Sequence, residues 1–163
     1  MTLKEKIQAE IKKAMKEREE IRVSTLRMLL SAVLNREKEK RSKLSREEKD
    51  TVRLEELSKL NEEEFLEVIA GEAKKRKDSI EQFSKGGRDD LVKKEKEELD
   101  ILIKYLPEQM TEEEIRKIVK EKIQELGVSG RQEAGKLMGE LMPALKGRAE
   151  GGLVNKIVQE ELK

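Results

Sequence analysis

Apolar residues recur at three- and four-residue intervals along almost the whole 163-residue chain, the spacing of helices that bury one side. Leu3, Ile7, Ile11 and Ala14 mark the buried stripe of a first helix. A second, from about Arg22 to Arg41, carries Leu26, Leu29, Leu30, Val33 and Leu34. Ser45 followed by Glu48 reads as a capping box, which predicts a polar helix with Val52, Leu54, Leu57 and Leu60 as its sparse apolar positions. Asn61 predicts the start of a long helix reaching Phe83, built on Phe65, Ile69, Ala73, Ile80 and Phe83. At ~1.5 Å per residue that helix spans roughly 35 Å. Gly86 and Gly87 end it, and Asp89 and Asp90 favour the positive end of the next, which carries Leu91, Leu99, Leu102 and Leu106.

Pro107 stops that helix, and Thr111 with Glu114 forms a second capping box. The helix it opens buries Ile115, Ile118, Val119 and Leu126, and Gly127 terminates it. From Ala134 the chain is helical again, is broken by Lys146-Gly147-Arg148-Ala149-Glu150-Gly151-Gly152, and resumes with Leu153, Val154, Ile157, Val158 and Leu162. Strand-like alternation is absent. The pattern predicts an all-α protein with an N-terminal helical domain over residues 1–94. Residues 95–163 form a connecting helix and a small three-helix C-terminal domain.

Composition narrows the chemistry. Charged residues make up 45% of the chain, well above the usual quarter, yet the charges nearly cancel at +1. No global field therefore steers it towards a polyanion. Charge is blocked instead: residues 1–43 hold thirteen basic and seven acidic groups, and residues 44–73 four and ten. The Lys- and Glu-rich, Asn-poor composition points to a thermophilic source. There is no cysteine and no histidine, which removes thiol chemistry, the commonest metal ligand and the commonest general base. No phosphate-binding loop of the GxxxxGK[ST] type occurs, and Ser24, Ser31 and Ser79 have no histidine partner. No metal and no cofactor is expected. Asp89-Asp90 and Glu112-Glu113-Glu114 lie in first helical turns, where the helix dipole accounts for them. No apolar run is long enough to cross a membrane, and Glu5, Glu10 and Glu17 speak against a transit peptide, so the expected location is cytoplasmic.

Seven of the ten glycines lie between Gly127 and Gly152. Gly135 and Gly139 stand inside a predicted helix at a cost of about 0.5–1 kcal/mol each. Their four-residue spacing places both on one face, open to the close approach of another backbone or a ligand. Around them stand Gly135-x-x-Met138, Met142-Pro143, the Lys146-to-Glu150 turn and Leu153-Val154-Asn155-Lys156. That order resembles the C-terminal tail shared by the YqeY family and the GatB subunit of tRNA-dependent amidotransferases. Ser24–Lys40, Lys74–Leu99 and Tyr105–Ile115 also look like YqeY landmarks in YqeY order, so the resemblance covers nearly the whole chain. It implies a GatB-like tail, and the related amidotransferase tail is implicated in contacting tRNA. In one place this chain departs from the family pattern: Gly152 stands where a lysine is frequent.

The candidate RNA-binding set is Lys136, Lys146, Arg148, Asn155 and Lys156. Lysine and arginine supply charge to phosphates, and glycines let an RNA backbone come within hydrogen-bonding range. The helix start near Gly151 adds unpaired N–H groups, although Glu150 could occupy that end itself. Lys74 and Lys77, on one side of the Lys74-Lys75-Arg76-Lys77 run, form a secondary basic patch. The only aromatics are Phe65, Phe83 and Tyr105, so the tail has no platform for stacking bases and contact would be to shape and backbone. The resulting expectation is a protein not catalytic alone, binding tRNA or assisting a tRNA-modifying or aminoacyl-tRNA enzyme. A helical protein–protein adaptor without RNA binding is the alternative. Kinship with GatB also ties such proteins to glutamine-dependent carbon–nitrogen ligase activity, whose catalytic parts this chain lacks.

Overall fold

The computed structural model describes residues 1–162. It is all-α, with eight α-helices, one short 3-10 turn and no strand among the described residues. The chain divides into two compact units, Met1–Tyr105 and Leu106–Lys163.

The first unit contains α1 (Leu3–Glu17), α2 (Glu20–Leu44), α3 (Thr51–Ser58), α4 (Glu62–Lys85) and α5 (Asp89–Ile103). Helix α2 packs against each of the other four, and α4 and α5 form the most extensive pair. Ile7, Ile11, Ala14, Leu26, Leu29, Val33, Leu54, Phe65, Ile69, Ala73 and Leu102 are buried. Local chemistry fixes the helix starts. Thr2 and Asn61 each accept a hydrogen bond from a glutamate N–H three residues on, and that glutamate reaches back to the cap N–H.

Two expectations are corrected here. Ser45 opens no helix: it closes α2, and its hydroxyl donates to the Ser42 carbonyl at 2.8 Å. The cap of α3 is Asp50, whose Oδ1 accepts from the Val52 and Arg53 N–H groups, while Glu48 accepts from the Asp50 N–H. A carboxylate satisfies two amides at once, so the turn from 45 to 50 forms ahead of the helix. Leu34, Val52 and Leu57 are exposed, because α2 and α3 present a narrower face to their neighbours than the apolar pattern allows. Helix α5 pairs with α4 and lies within the unit that ends at Tyr105.

The second unit contains α6 (Glu112–Leu126), the 3-10 turn Arg131–Glu133, α7 (Ala134–Leu145) and α8 (Gly151–Glu161). Thr111 and Glu114 form the expected capping box, and Gly127 ends α6 at φ 65°, a left-handed position that glycine takes without steric cost. Ile115, Val119, Val128, Ala134, Leu137, Leu141, Leu145, Val154, Ile157, Val158 and Leu162 form one apolar core. Arg116 adds an ionic clasp across it, with Glu112 at 3.0 Å, Glu160 at 2.7 Å and Glu161 at 2.6 Å, so α6 and α8 are tied at their outer edge.

Candidate nucleic-acid interface

Helix α7 buries Ala134, Leu137, Leu141 and Leu145 and turns Gly135, Lys136, Gly139, Glu140, Pro143 and Ala144 outward. A Cβ built at Gly135 or Gly139 meets nothing within 4 Å. Among the described residues, therefore, neither glycine serves close packing against another helix. Pro143 accounts for part of the pattern at Gly139. A proline inside a helix takes the N–H away from the carbonyl four residues back and crowds it. Gly139 occupies that position, on the exposed side where solvent reaches the freed oxygen.

Lys136 sits between these glycines, exposed, and no hydrogen bond or ion pair engages it among the described residues. Lys146 follows the last turn of α7, roughly 15 Å further along the helix axis. Its backbone N–H donates to the Met142 carbonyl at 2.9 Å, and its side chain interacts with a neighbouring group. Arg148 lies in the turn before α8, and its carbonyl accepts from the Met110 N–H at 2.8 Å, which anchors that turn to the segment preceding α6. Asn155 and Lys156 are exposed and adjacent on α8. The structure thus gathers Lys146 with Arg148 at one turn and Asn155 with Lys156 on one face, while Lys136 stands apart at the other end of α7.

Acids accompany several of these cations. Glu114 is held below the usual carboxylate range by the Thr111 backbone N–H first, then by the Thr111 hydroxyl, with the Arg148 charge contributing. Glu160 is held down mainly by its hydrogen bond from Arg116, with Lys156 nearby. The start of α8 is covered in a similar way. Glu150 makes no capping hydrogen bond, yet its Oε1 lies 3.8 Å from where a Cβ on Gly152 would stand. An acidic group therefore stands beside the first residues of α8.

The secondary patch divides in the structure. Lys74 and Lys77 are exposed on α4, each interacting with a neighbouring group. Arg76, from the same run, turns inward and is 7% exposed. It pairs with Glu72 and Glu98 at 3.0 Å each, with Glu95 at 4.0 Å, and Lys75 holds the other oxygen of Glu72 at 2.6 Å. The sequence reading missed this buried pairing. Its available signal was Glu72, one helical turn before Arg76. Asp89-Asp90 and Glu112-Glu113-Glu114 occupy first turns of α5 and α6.

Comparison with known proteins decides the lineage. A family described as Yqey-like protein matches residues 4–162. The chain belongs to that family. Among curated proteins, a relative from Pyrenophora tritici-repentis, named "Altered inheritance of mitochondria protein 41, mitochondrial", is 30% identical over 158 residues, covering 95% of this chain and 78% of its own length. Proteins of the same name from Lachancea thermotolerans and Saccharomyces cerevisiae (strain YJM789) are 34% and 31% identical. Each of those matches covers 61% of this chain and 46% of the yeast protein, so the match spans about half of those relatives. The cytoplasmic expectation is corrected by these names, since the Yqey-like relatives are called mitochondrial. Acidic residues in a first helix do not decide a compartment.

Proposed function

We propose that this Yqey-like protein is a non-catalytic accessory protein that binds tRNA through the outer faces of α7 and α8. Lys136, Lys146, Arg148 and Lys156 meet phosphates, and Asn155 adds a neutral hydrogen-bonding group. The bare stretch at Gly135 and Gly139 lets the RNA backbone approach the helix closely. The observation that carries the reading is this outward glycine face, to which nothing packs among the described residues and which Pro143 explains only in part at Gly139, beside Lys136, which no described residue engages. The resemblance of the tail to that of GatB supports tRNA as the class of RNA. The contact is to backbone and shape, because no aromatic stands in this unit to stack a base.

Filter binding of bulk tRNA over a salt series tests this. Four phosphate contacts give a log–log slope of about −3 to −4, and each charge reversal in Lys136→Glu, Lys146→Glu, Arg148→Glu or Lys156→Glu flattens it by about one. Absence of binding at low salt, or an unchanged slope in the quadruple variant, overturns the proposal.

A further inference from the structure

The corner between α1 and α2 holds a side chain that the fold does not ask for. Arg18 closes α1 in the left-handed conformation, φ 59° and ψ 32°, the one non-glycine residue with positive φ among the described residues. Glycine takes that position without steric cost and is the usual residue at such a cap. The cap itself uses only the backbone: the Arg18 N–H faces the Ala14 and Met15 carbonyls. Among the described residues the guanidinium enters no hydrogen bond or ion pair. A non-glycine residue in this conformation carries a backbone cost, and the cap gains nothing from its side chain.

That side chain borders a groove of about 600 Å³ whose apolar floor comes from Ala14, Met15 and Val23. Arg27 forms a second cationic wall, its Nη2 lying 3.5 Å from the Met15 sulfur, and among the described residues Glu20 is the one carboxylate lining the groove. Met15 is half-exposed, and Ile21 and Met28 are exposed along the same α2 stripe as the groove-lining Ser24. Methionine surfaces adapt to the apolar side of a helix, and arginines at a rim select carboxylates. The surrounding segment is basic, with thirteen cations against seven acids in residues 1–43. No aromatic residue lines the groove, so it offers nothing to a nucleobase.

We infer that this groove docks an acidic amphipathic helix of a partner protein. Its apolar side chains rest on Met15 and Val23 and reach Met28, and its carboxylates pair with Arg18 and Arg27. The inference is independent of the RNA reading, which concerns the other unit.

The probe is a dye-labelled synthetic helix of about eighteen residues, long enough to be helical, with leucines at i, i+3, i+4 and i+7 spacing and glutamates elsewhere. Titrated with the full chain and followed by fluorescence anisotropy, it binds saturably and more weakly as salt rises. A version with lysine in place of glutamate does not bind. Arg18→Gly weakens binding about tenfold or more, as loss of an anchoring arginine does. Yet it leaves the thermal midpoint unchanged or higher, because glycine suits the left-handed cap. A merely structural role for Arg18 predicts the opposite pair of results. Arg27→Ala weakens binding with Arg18 intact and gives a second, unstrained readout. No saturable binding, equal binding by both peptides, undiminished binding by both variants, or displacement of the peptide by tRNA overturns the inference.

Discussion

Arg76 gives the most demanding test of the packing account. Its side chain is 8% exposed and sits between Glu72 and Glu98, themselves 10% and 7% exposed, so α4 and α5 are joined through charges taken out of water. Replacing Arg76 with alanine leaves Lys75 on Glu72 but takes the Arg76 guanidinium away from Glu98. Breaking a buried pair from one side costs about 3–5 kcal/mol, and the surviving Lys75 contact places this case near 3. Urea unfolding followed by the emission of Tyr105 measures it, since that residue is the only tyrosine, there is no tryptophan, and it belongs to the first unit. Replacing the pair together, in Arg76→Met with Glu98→Leu, removes both desolvation costs and recovers most of the loss. A destabilisation under about 1 kcal/mol for Arg76→Ala refutes the reasoning.

Two further predictions are sharp enough to fail. Gly71 is exposed within α4 and, like Gly139, has open space where a Cβ would stand. Gly71→Ala and Gly139→Ala should each raise stability by about 0.5–1 kcal/mol in denaturant titrations, but only Gly139→Ala should weaken tRNA retention on filters. Loss of stability in Gly139→Ala, or equal RNA binding by the two variants, contradicts the outward-face reading. Glu95 has its carboxyl raised above the usual range, by burial first and then by the Glu98 charge. A raised acid costs stability while ionised, and the cost fades as pH falls through its folded pKa. Glu95→Gln should therefore raise the thermal midpoint at pH 7 and lose that advantage near pH 4; a lower midpoint at pH 7 runs against this.

Local signals carried most of the architecture. Asn61, Thr111 and Gly127 act within three or four residues of themselves, so the helix ends they set were readable without tertiary information. The periodic Val154, Ile157, Val158 and Leu162 likewise fall in the core of the second unit. Features that depend on which helix meets which were not readable. Leu34 fits the apolar stripe of α2, yet no neighbour covers it. Arg76 sits in a run of four cations that looks solvated, and only the pairing of α4 with α5 brings Glu98 to it. Arg116 collects Glu160 and Glu161 because α6 and α8 dock, a meeting that 44 and 45 residues of separation conceal. The candidate site was half legible. Spacing put Gly135 and Gly139 on one face, but spacing does not tell whether a helix turns its bare side inward or out.

The central claim is that the cations of α7 and α8 meet RNA, and the protection of individual amines tests it most directly. The full chain is treated with a lysine-modifying reagent with and without saturating tRNA at low salt, and modification at each lysine is read by mass spectrometry. The account predicts that Lys136, Lys146 and Lys156 are shielded by tRNA and re-exposed at high salt, while Lys12, Lys13 and Lys16 on α1 react equally in both samples. Shielding confined to α1, or no difference at the three tail lysines, contradicts it.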